Sequence, residues 1–260
     1  RGDCFHVLST AVSSMPDWLA QMLHNLILTG QCTDITLELN DSMMTQVLDS
    51  GTVSTSSDFV LAGTCTTSFQ TSGANRSNNI AVGASRLNNL IVMPGQTVSV
   101  SDTILPRTRA NGYKEAGVYV NGAHTSGLGG GVCQISSTVY NAVKNAGLTV
   151  VQRNPHSMPV SYLPKGLDAA IAAGSKDLKF RNDYTTPVVL YTDTSNKHLT
   201  VNVLVWNQEL AGRSFKLWAK QTGALSADTY FTTYQDGKEV STQFVGTSRY
   251  NPYREAVSND

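Results

Sequence analysis

Apolar residues recur along this chain at two spacings, and the spacing separates helical stretches from extended ones. Trp18, Leu19, Met22, Leu23, Leu26 and Ile27 share one face of a helix that Ser14 caps, Pro16 enters in its first turn and Gly30 ends. Ile35, Leu37 and Leu39 then alternate as in a half-buried strand, and residues 40–58, rich in Asp, Ser, Thr and Gly, read as a loop holding at most one short helix. Phe59 to Phe69 is strand-like again, with Cys65 as a small core residue within it. Asn75 to Asn89 has helical spacing, with Ile80, Ala84 and Leu87 inward. A strand from Leu90 to Met93 meets a turn at Pro94-Gly95, and another strand follows at Val98 and Val100.

Further along, Ile135, Val139, Ala142, Val143 and Ala146 trace a helix that Gly147 stops, and Leu148 to Gln152 is extended. Val188–Tyr191 and Leu199–Trp206 are β-rich runs joined by a polar link, a hairpin pattern. Asp236-Gly237 marks a second hairpin between Tyr230–Tyr234 and Glu239–Val245. These elements predict an α+β fold: a catalytic helix on a mainly antiparallel β-sheet, with a peripheral N-terminal helix and a C-terminal β-hairpin. The expected organisation is an N-terminal helix-strand segment over 1–58, a catalytic domain over 59–206 and a C-terminal β appendage over 207–260.

Composition narrows the function. Nineteen basic residues balance nineteen acidic ones with no dense Lys/Arg cluster, so the positive field that nucleic acid requires is missing. Only 15% of residues are charged, 21 are glycine, and Ser, Thr and Asn are abundant, which suits a strand-rich exported protein. No apolar run approaches the ~20 residues that span a bilayer. The start at Arg1 is read as that of a fragment whose export signal or anchor has been removed. None of Cys4, Cys32, Cys65 and Cys133 falls in a CxxC pair, so neither a zinc cage nor a thioredoxin-like motif is expected, and no cofactor or metal is implied. Cys4 and Cys32 flank the first helix and are either a disulfide or buried thiols; His24, within that helix, is read as structural.

The chemistry concentrates at Cys133, which follows Gly129-Gly130-Gly131 and opens a helix. Glycines let the backbone turn sharply and let a ligand come close. The helix-start dipole favours a thiolate by ~0.3–1 kcal/mol, up to ~2 when partly buried. That lowers a thiol pKa by roughly one unit from ~8.5, which is not enough by itself at neutral pH. A base is needed, and His156, between Pro155 and Pro159 and one strand beyond the helix, is the first candidate; His124 is its rival. Asp168, with Asp177 behind it, is the candidate orienting group. Amides near Cys133 and Gln134, with Gly130 and Gly131, are placed to hold an oxyanion.

The run Gly129-Gly130-Gly131-Val132-Cys133-Gln134-Ile135-Ser136-Ser137-Thr138-Val139-Tyr140-Asn141-Ala142 resembles the signature of the VanW-domain family. The resemblance extends through Ala146-Gly147-Leu148, Arg153, His156-Ser157, Tyr162, Gly166-Leu167-Asp168-Ala169 and Asp177-Leu178-Lys179-Phe180-Arg181-Asn182. Upstream it includes Arg76, Asn79-Ile80, Pro94-Gly95 and Gly112-Tyr113, covering roughly residues 60–205. Some members of that family are L,D-transpeptidases of bacterial peptidoglycan, with the motif cysteine as nucleophile. The resemblance implies that Cys133 attacks the third, diamino acid residue of a tetrapeptide donor and that a thioester forms. The side-chain amine of an acceptor stem then makes a 3→3 cross-link, or water completes an L,D-carboxypeptidase reaction. It further implies His156 as base, Asp168 as orienting group, and Arg76 or Arg86 as partner of the donor carboxylate. Tyr113, Tyr140 and Tyr162 would wall the groove or pack in the core. The implied setting is the extracellular face of the membrane or the wall of a Gram-positive bacterium, in a longer anchored or exported protein. Two positions depart from the family pattern: Gln152 stands where an acid precedes the motif arginine, and Ser136-Ser137-Thr138 replaces a Ser-Thr-Thr run. Two other functions fit the same residues: a thiol amidase or endopeptidase acting on wall peptides, and a non-catalytic module that grips them.

Overall fold

The computed structural model describes residues 4–7, 34–36, 59–120 and 123–253, and the side chains of 59–118 and 125–253. The expected N-terminal helix with His24, the 40–58 loop, Cys32 and the side chain of Cys4 lie outside the described residues. In chain order the elements are β1 (Cys4–Val7), β2 (Asp34–Thr36), β3 (Phe59–Ser68), α1 (Ala74–Ser85), β4 (Leu90–Val92), β5 (Thr97–Ser99), α2 (Val100–Ile104), β6 (Glu115–Val120) and β7 (Ala123–Leu128). There follow α3 (Val132–Asn145), β8 (Thr149–Gln152), β9 (Lys179–Arg181), β10 (Val188–Asp193), β11 (His198–Trp206), α4 (Asn207–Leu210), β12 (Arg213–Gly223), β13 (Ser226–Gln235) and β14 (Lys238–Arg249).

The fold is α+β. Its main sheet runs β2-β1-β4-β10-β11-β3, parallel where β1 meets β2 and β4, and antiparallel elsewhere. β11 shows why: Leu199, Val201, Val203 and Val205 are fully buried, while the residues between them face the other side. β4 is buried at all three positions and sits inside the sheet. The β10–β11 hairpin pairs as its alternation predicts, from Val189↔Leu204 to Asp193↔Thr200.

Helix α3 lies against β3 and β11 with Ile135, Val139, Ala142 and Val143 buried beneath it. Gly63 permits this approach: a Cβ there would come within 2.2 Å of the Ala142 carbonyl oxygen and 2.4 Å of the Ala146 nitrogen. Three smaller sheets surround this core: β5-β9-β8, the β6–β7 hairpin and the β12-β13-β14 meander.

Four local outcomes differ from the sequence pattern. α1 ends at Ser85, short of Asn89, which adopts a left-handed φ of 57° as the chain reverses into β4. Val100 opens a helix instead of continuing a strand. The Ser99 hydroxyl accepts the Asp102 N–H at 3.0 Å, and the Asp177 carboxylate accepts the Ser101 N–H at 3.0 Å, so the first-turn donors are satisfied. The β6–β7 hairpin was not expected, although Asn121-Gly122 lies between its strands in the sequence. Finally, the C-terminal hairpin β13–β14 carries β12 as a third strand.

Replacing Gly63 by alanine forces a methyl group into helix backbone that cannot swing aside. Urea unfolding of Gly63→Ala is expected to show a loss of about 1–3 kcal/mol, whereas Gly73→Ala, with open space around its Cβ, should stay close to the parent.

Candidate active site

The cysteine's position begins with the glycine turn. Gly131, at the N-cap of α3, has φ 112°, a left-handed value that other residues rarely adopt. A Cβ on Gly130 would fall 2.6 Å from the Gly117 carbonyl oxygen of β6. Asn79, fully buried on α1, pins the turn: its Nδ2 donates to Gly130 O at 3.0 Å and to Lys114 O at 2.8 Å, and its Oδ1 accepts the Lys114 N–H at 2.7 Å.

The polar face of α3 then holds the segment that carries Asp168. Ser136 Oγ donates to Ala169 O at 2.5 Å, the Ala169 N–H donates to Ser137 Oγ at 2.9 Å, and Asn141 Nδ2 donates to Leu167 O at 2.7 Å. The Ala170 N–H donates to Asn154 O at 2.7 Å, which ties the same segment to the strand exit bearing His156. Cys133, His156 and Asp168 therefore come together although they are spread over 36 positions of sequence.

Within this group the Cys133 thiol donates to Ile171 O at 3.3 Å, and the His156 ring is close enough to act on its ionisation. Asp168 Oδ2 accepts the backbone N–H of His156 at 2.7 Å and stands 2.7 Å from His156 Nδ1. The carboxylate thus keeps the proton on Nδ1 and leaves Nε2 for the thiol. Asp168 Oδ1 accepts from the Tyr250 hydroxyl at 2.5 Å and from Arg153 Nη2 at 3.3 Å. Burial alone would raise the fully buried Asp168 carboxyl, but the hydrogen bonds from His156, Tyr250 and Arg153 outweigh it and hold the group at about 2. Burial would likewise lower His156, yet its hydrogen bond to Asp168 and the neighbouring Cys133 thiol raise it to about 9. For Cys133, burial opposes ionisation, and the nearby His156 ring and its charge overcome it, so the thiol falls below its ordinary value. The two shifts are coupled, and each favours ionisation of the pair: the imidazolium lowers the thiol and the thiol's charge raises the imidazole.

The other predicted residues divide into those near the thiol and those elsewhere. Arg76 is close enough to Cys133 and Tyr162 to feel both, and it donates to Ser72 Oγ at 2.6 Å and to Gln134 Oε1 at 2.9 Å. Tyr162 lies 3.5 Å from Ser137 Oγ, and its hydroxyl is pushed upward first by burial and then by the Cys133 charge. Gln134 is not an oxyanion donor: its N–H bonds Gly131 O at 3.0 Å, and its buried side chain donates to Thr67 Oγ1 and Ser68 O. Val132 N–H is similarly bonded to Gly129 O, so the first-turn amide left for an oxyanion is that of Cys133 itself.

Arg86 points elsewhere, donating to Leu105 O at 2.8 Å and lying over the Tyr113 ring. Tyr113 is core, 1% exposed with its hydroxyl on Ile104 O, and so does not wall a groove. Tyr140 is also buried, beneath the Arg153 guanidinium. Asp177 caps α2 and does not reach His156, and Gln152 bonds Asn154. The side chain of His124 lies outside the described residues. Among the described residues no cluster of His, Cys, Asp or Glu could hold a metal ion. Cys65 is a half-buried free thiol that burial pushes up to about 11.

Sequence reasoning missed two residues. Arg107 packs its stem against Gly129 and acts electrostatically on Cys133. Tyr250 is 82 positions from Asp168, so no local pattern could have signalled it.

A helix-start cysteine, a histidine that acts on its ionisation and a buried carboxylate hydrogen-bonded to that histidine, on an α+β scaffold, define a Cys–His–Asp site. The chain belongs to the VanW family: the family model described as "VanW like protein" matches residues 75–204, which contain all three residues. It is 42% identical over 128 residues to the uncharacterized protein YoaR of Bacillus subtilis (strain 168), covering 49% of this chain and 42% of that protein. It is 35% identical over 114 residues to the Vancomycin B-type resistance protein VanW of Enterococcus faecalis (strain ATCC 700802 / V583), covering 42% of each. The chain thus spans less than half the length of these curated relatives. No solved structure matches it.

The linked shifts set a pH window. Thiolate absorbance near 240 nm is expected to rise at a clearly lower pH in the parent than in His156→Ala, where the main opposing effect to burial is gone. Because the folded Asp168 value lies below its unfolded value of ~3.9, its stabilising contribution is present above pH ~4 and is lost as pH falls towards 2. His156 has the opposite sign: its contribution is complete below ~6.5 and disappears as pH rises through 9. Denaturant titrations of parent and Asp168→Asn across this range check both limbs.

Proposed function

We propose that this chain is the catalytic part of a peptidoglycan L,D-transpeptidase acting at the outer face of a bacterial cytoplasmic membrane. The observation that carries the reading is the line from Cys133 through His156 to Asp168, because a thiol whose ionisation a neighbouring imidazolium favours is prepared for acyl transfer. The vancomycin-resistance name of one relative supports a wall peptide as substrate.

In this mechanism the Cys133 thiolate attacks the carbonyl carbon joining the diamino acid to the terminal D-Ala of a tetrapeptide stem. The electron pair moves onto oxygen, and the Cys133 N–H stabilises the oxyanion. His156 gives its Nε2 proton to the departing D-Ala amine as the C–N bond breaks, leaving a thioester on Sγ. The side-chain amine of an acceptor stem then attacks the thioester. His156 takes its proton, the C–S bond breaks, and the thiolate returns as the 3→3 amide forms. Water in place of the amine yields the carboxypeptidase outcome. Asp168 holds the imidazole in one tautomer throughout.

The donor ends in a carboxylate, which calls for a cation beside the thiol. Arg76 is partly committed to Ser72 and Gln134. Arg107 is half-buried beside the glycine turn, and among the described residues no hydrogen bond or ion pair engages it. It replaces Arg86 as the second cation of the reading.

Intact mass after mixing with a disaccharide-tetrapeptide tests the chemistry. The expected result is an adduct equal to donor minus D-Ala, absent in Cys133→Ala, followed by a cross-linked dimer. Stem binding with no adduct and no product would overturn it. In Arg107→Gln, kcat/KM for the free-acid donor should fall about tenfold or more, while a donor amidated at its C-terminus changes little.

A further inference from the structure

The segment beyond the family-matched stretch reaches back into the site. Tyr250, which follows β14 and is 6% exposed, donates its hydroxyl proton to Asp168 Oδ1 at 2.5 Å and accepts the Gly166 N–H at 2.7 Å. Its own N–H bonds Leu225 O at 2.8 Å, and the Asn251 N–H bonds Ser157 O at 2.7 Å, one residue past His156. Thr229 Oγ1 of β13 donates to Gly166 O at 2.9 Å, and Ser248 Oγ of β14 accepts from Arg153 Nη1 at 3.0 Å. The β12-β13-β14 meander is thereby fastened to both loops that present the histidine and the carboxylate.

We propose that Tyr250 is a positioning residue for Asp168, so that the C-terminal sheet, outside residues 75–204, completes the Cys133–His156–Asp168 site. A carboxylate held by one oxygen alone can turn about its Cβ–Cγ bond. Here Oδ2 takes both N–H groups of His156 and Oδ1 takes the Tyr250 hydroxyl, which fixes the plane of the group. The other donor to Oδ1, Arg153, is longer at 3.3 Å and divides its guanidinium among Asp168 O, Gly166 O and Ser248. Without the hydroxyl, the carboxylate loses its nearest donor and the Gly166 N–H loses its acceptor. The imidazole is then less firmly oriented, and the thiolate it supports is less populated.

This inference rests on the Cys–His–Asp reading of the site but needs no wall substrate to test. Tyr250→Phe keeps the ring in its socket and removes only the hydroxyl. In the full chain, with circular dichroism matching the parent, the iodoacetamide alkylation rate of Cys133, read on the acid limb of its pH profile, should fall about tenfold, one pKa unit in thiolate fraction. The far-downfield proton resonance of His156 Nδ1–H should shift or broaden, which a purely docking role for the ring would not cause. A folded Tyr250→Phe with parent alkylation rate and unmoved resonance would overturn the proposal. If that variant does not fold, 3-fluorotyrosine placed at position 250 keeps the bond and makes its donor stronger. The His156 resonance must then shift, and its staying in place would overturn the proposal equally. Both readouts report the site alone, so failure of the transpeptidase assay leaves them interpretable, and the reverse also holds.

Discussion

A fully buried carboxylate needs partners, and Asp168 has four donor groups arranged around two oxygens. Removing one partner of a buried charge pair costs about 3–5 kcal/mol because the remaining charge is left uncompensated. The three segments that meet at Asp168 are therefore locked to one another: the turn bearing His156, the loop after Gly166 and the chain end after β14. The same contacts that prevent Asp168 from protonating also hold the imidazole charged, and the imidazole in turn favours the thiolate. One buried anion sets the electrostatics of the whole line.

The scaffold supplies the other half of the geometry by close backbone approach. Gly63 lets α3 settle onto β3, and the glycine turn lets the helix begin under β6, with Asn79 holding the turn from α1. With the helix fixed at both ends, its hydroxyl and amide side chains act as a ruler for the Asp168 loop. Ser136, Ser137 and Asn141 lie on one side of the helix and bond successive backbone groups from Leu167 to Ala169. Hydrophobic burial places the helix, and a row of small polar side chains then sets the position of the carboxylate.

The candidate binding residues are of two kinds, and their contacts separate them. Tyr113 and Tyr140 share the family-like motifs with the site residues, yet their contacts, like those of Arg86, are with the core and a distant turn. Arg76, Arg107 and Tyr162 act electrostatically on the thiol region. A motif marks residues that a fold retains, and it does not say whether the reason is packing or chemistry.

Much of this was legible in the sequence where the physics is local. The β10–β11 alternation, the helix behind three glycines, the Asp236-Gly237 hairpin and the special place of Cys133 all follow from periodicity and backbone freedom over a few residues. Local signals also failed where a cap or a left-handed residue overruled the apolar pattern, as at Ser99 and Asn89. That Cys133, His156 and Asp168 would be neighbours could be argued from the sequence, but only as candidates among rivals such as Asp177. The tertiary structure alone decided that Asp177 caps α2, that Gln134 turns from the site, and that Arg107 and Tyr250 come to it. The reason is that these placements depend on contacts across dozens of residues, made when separately patterned elements pack, and no short-range spacing encodes such a meeting.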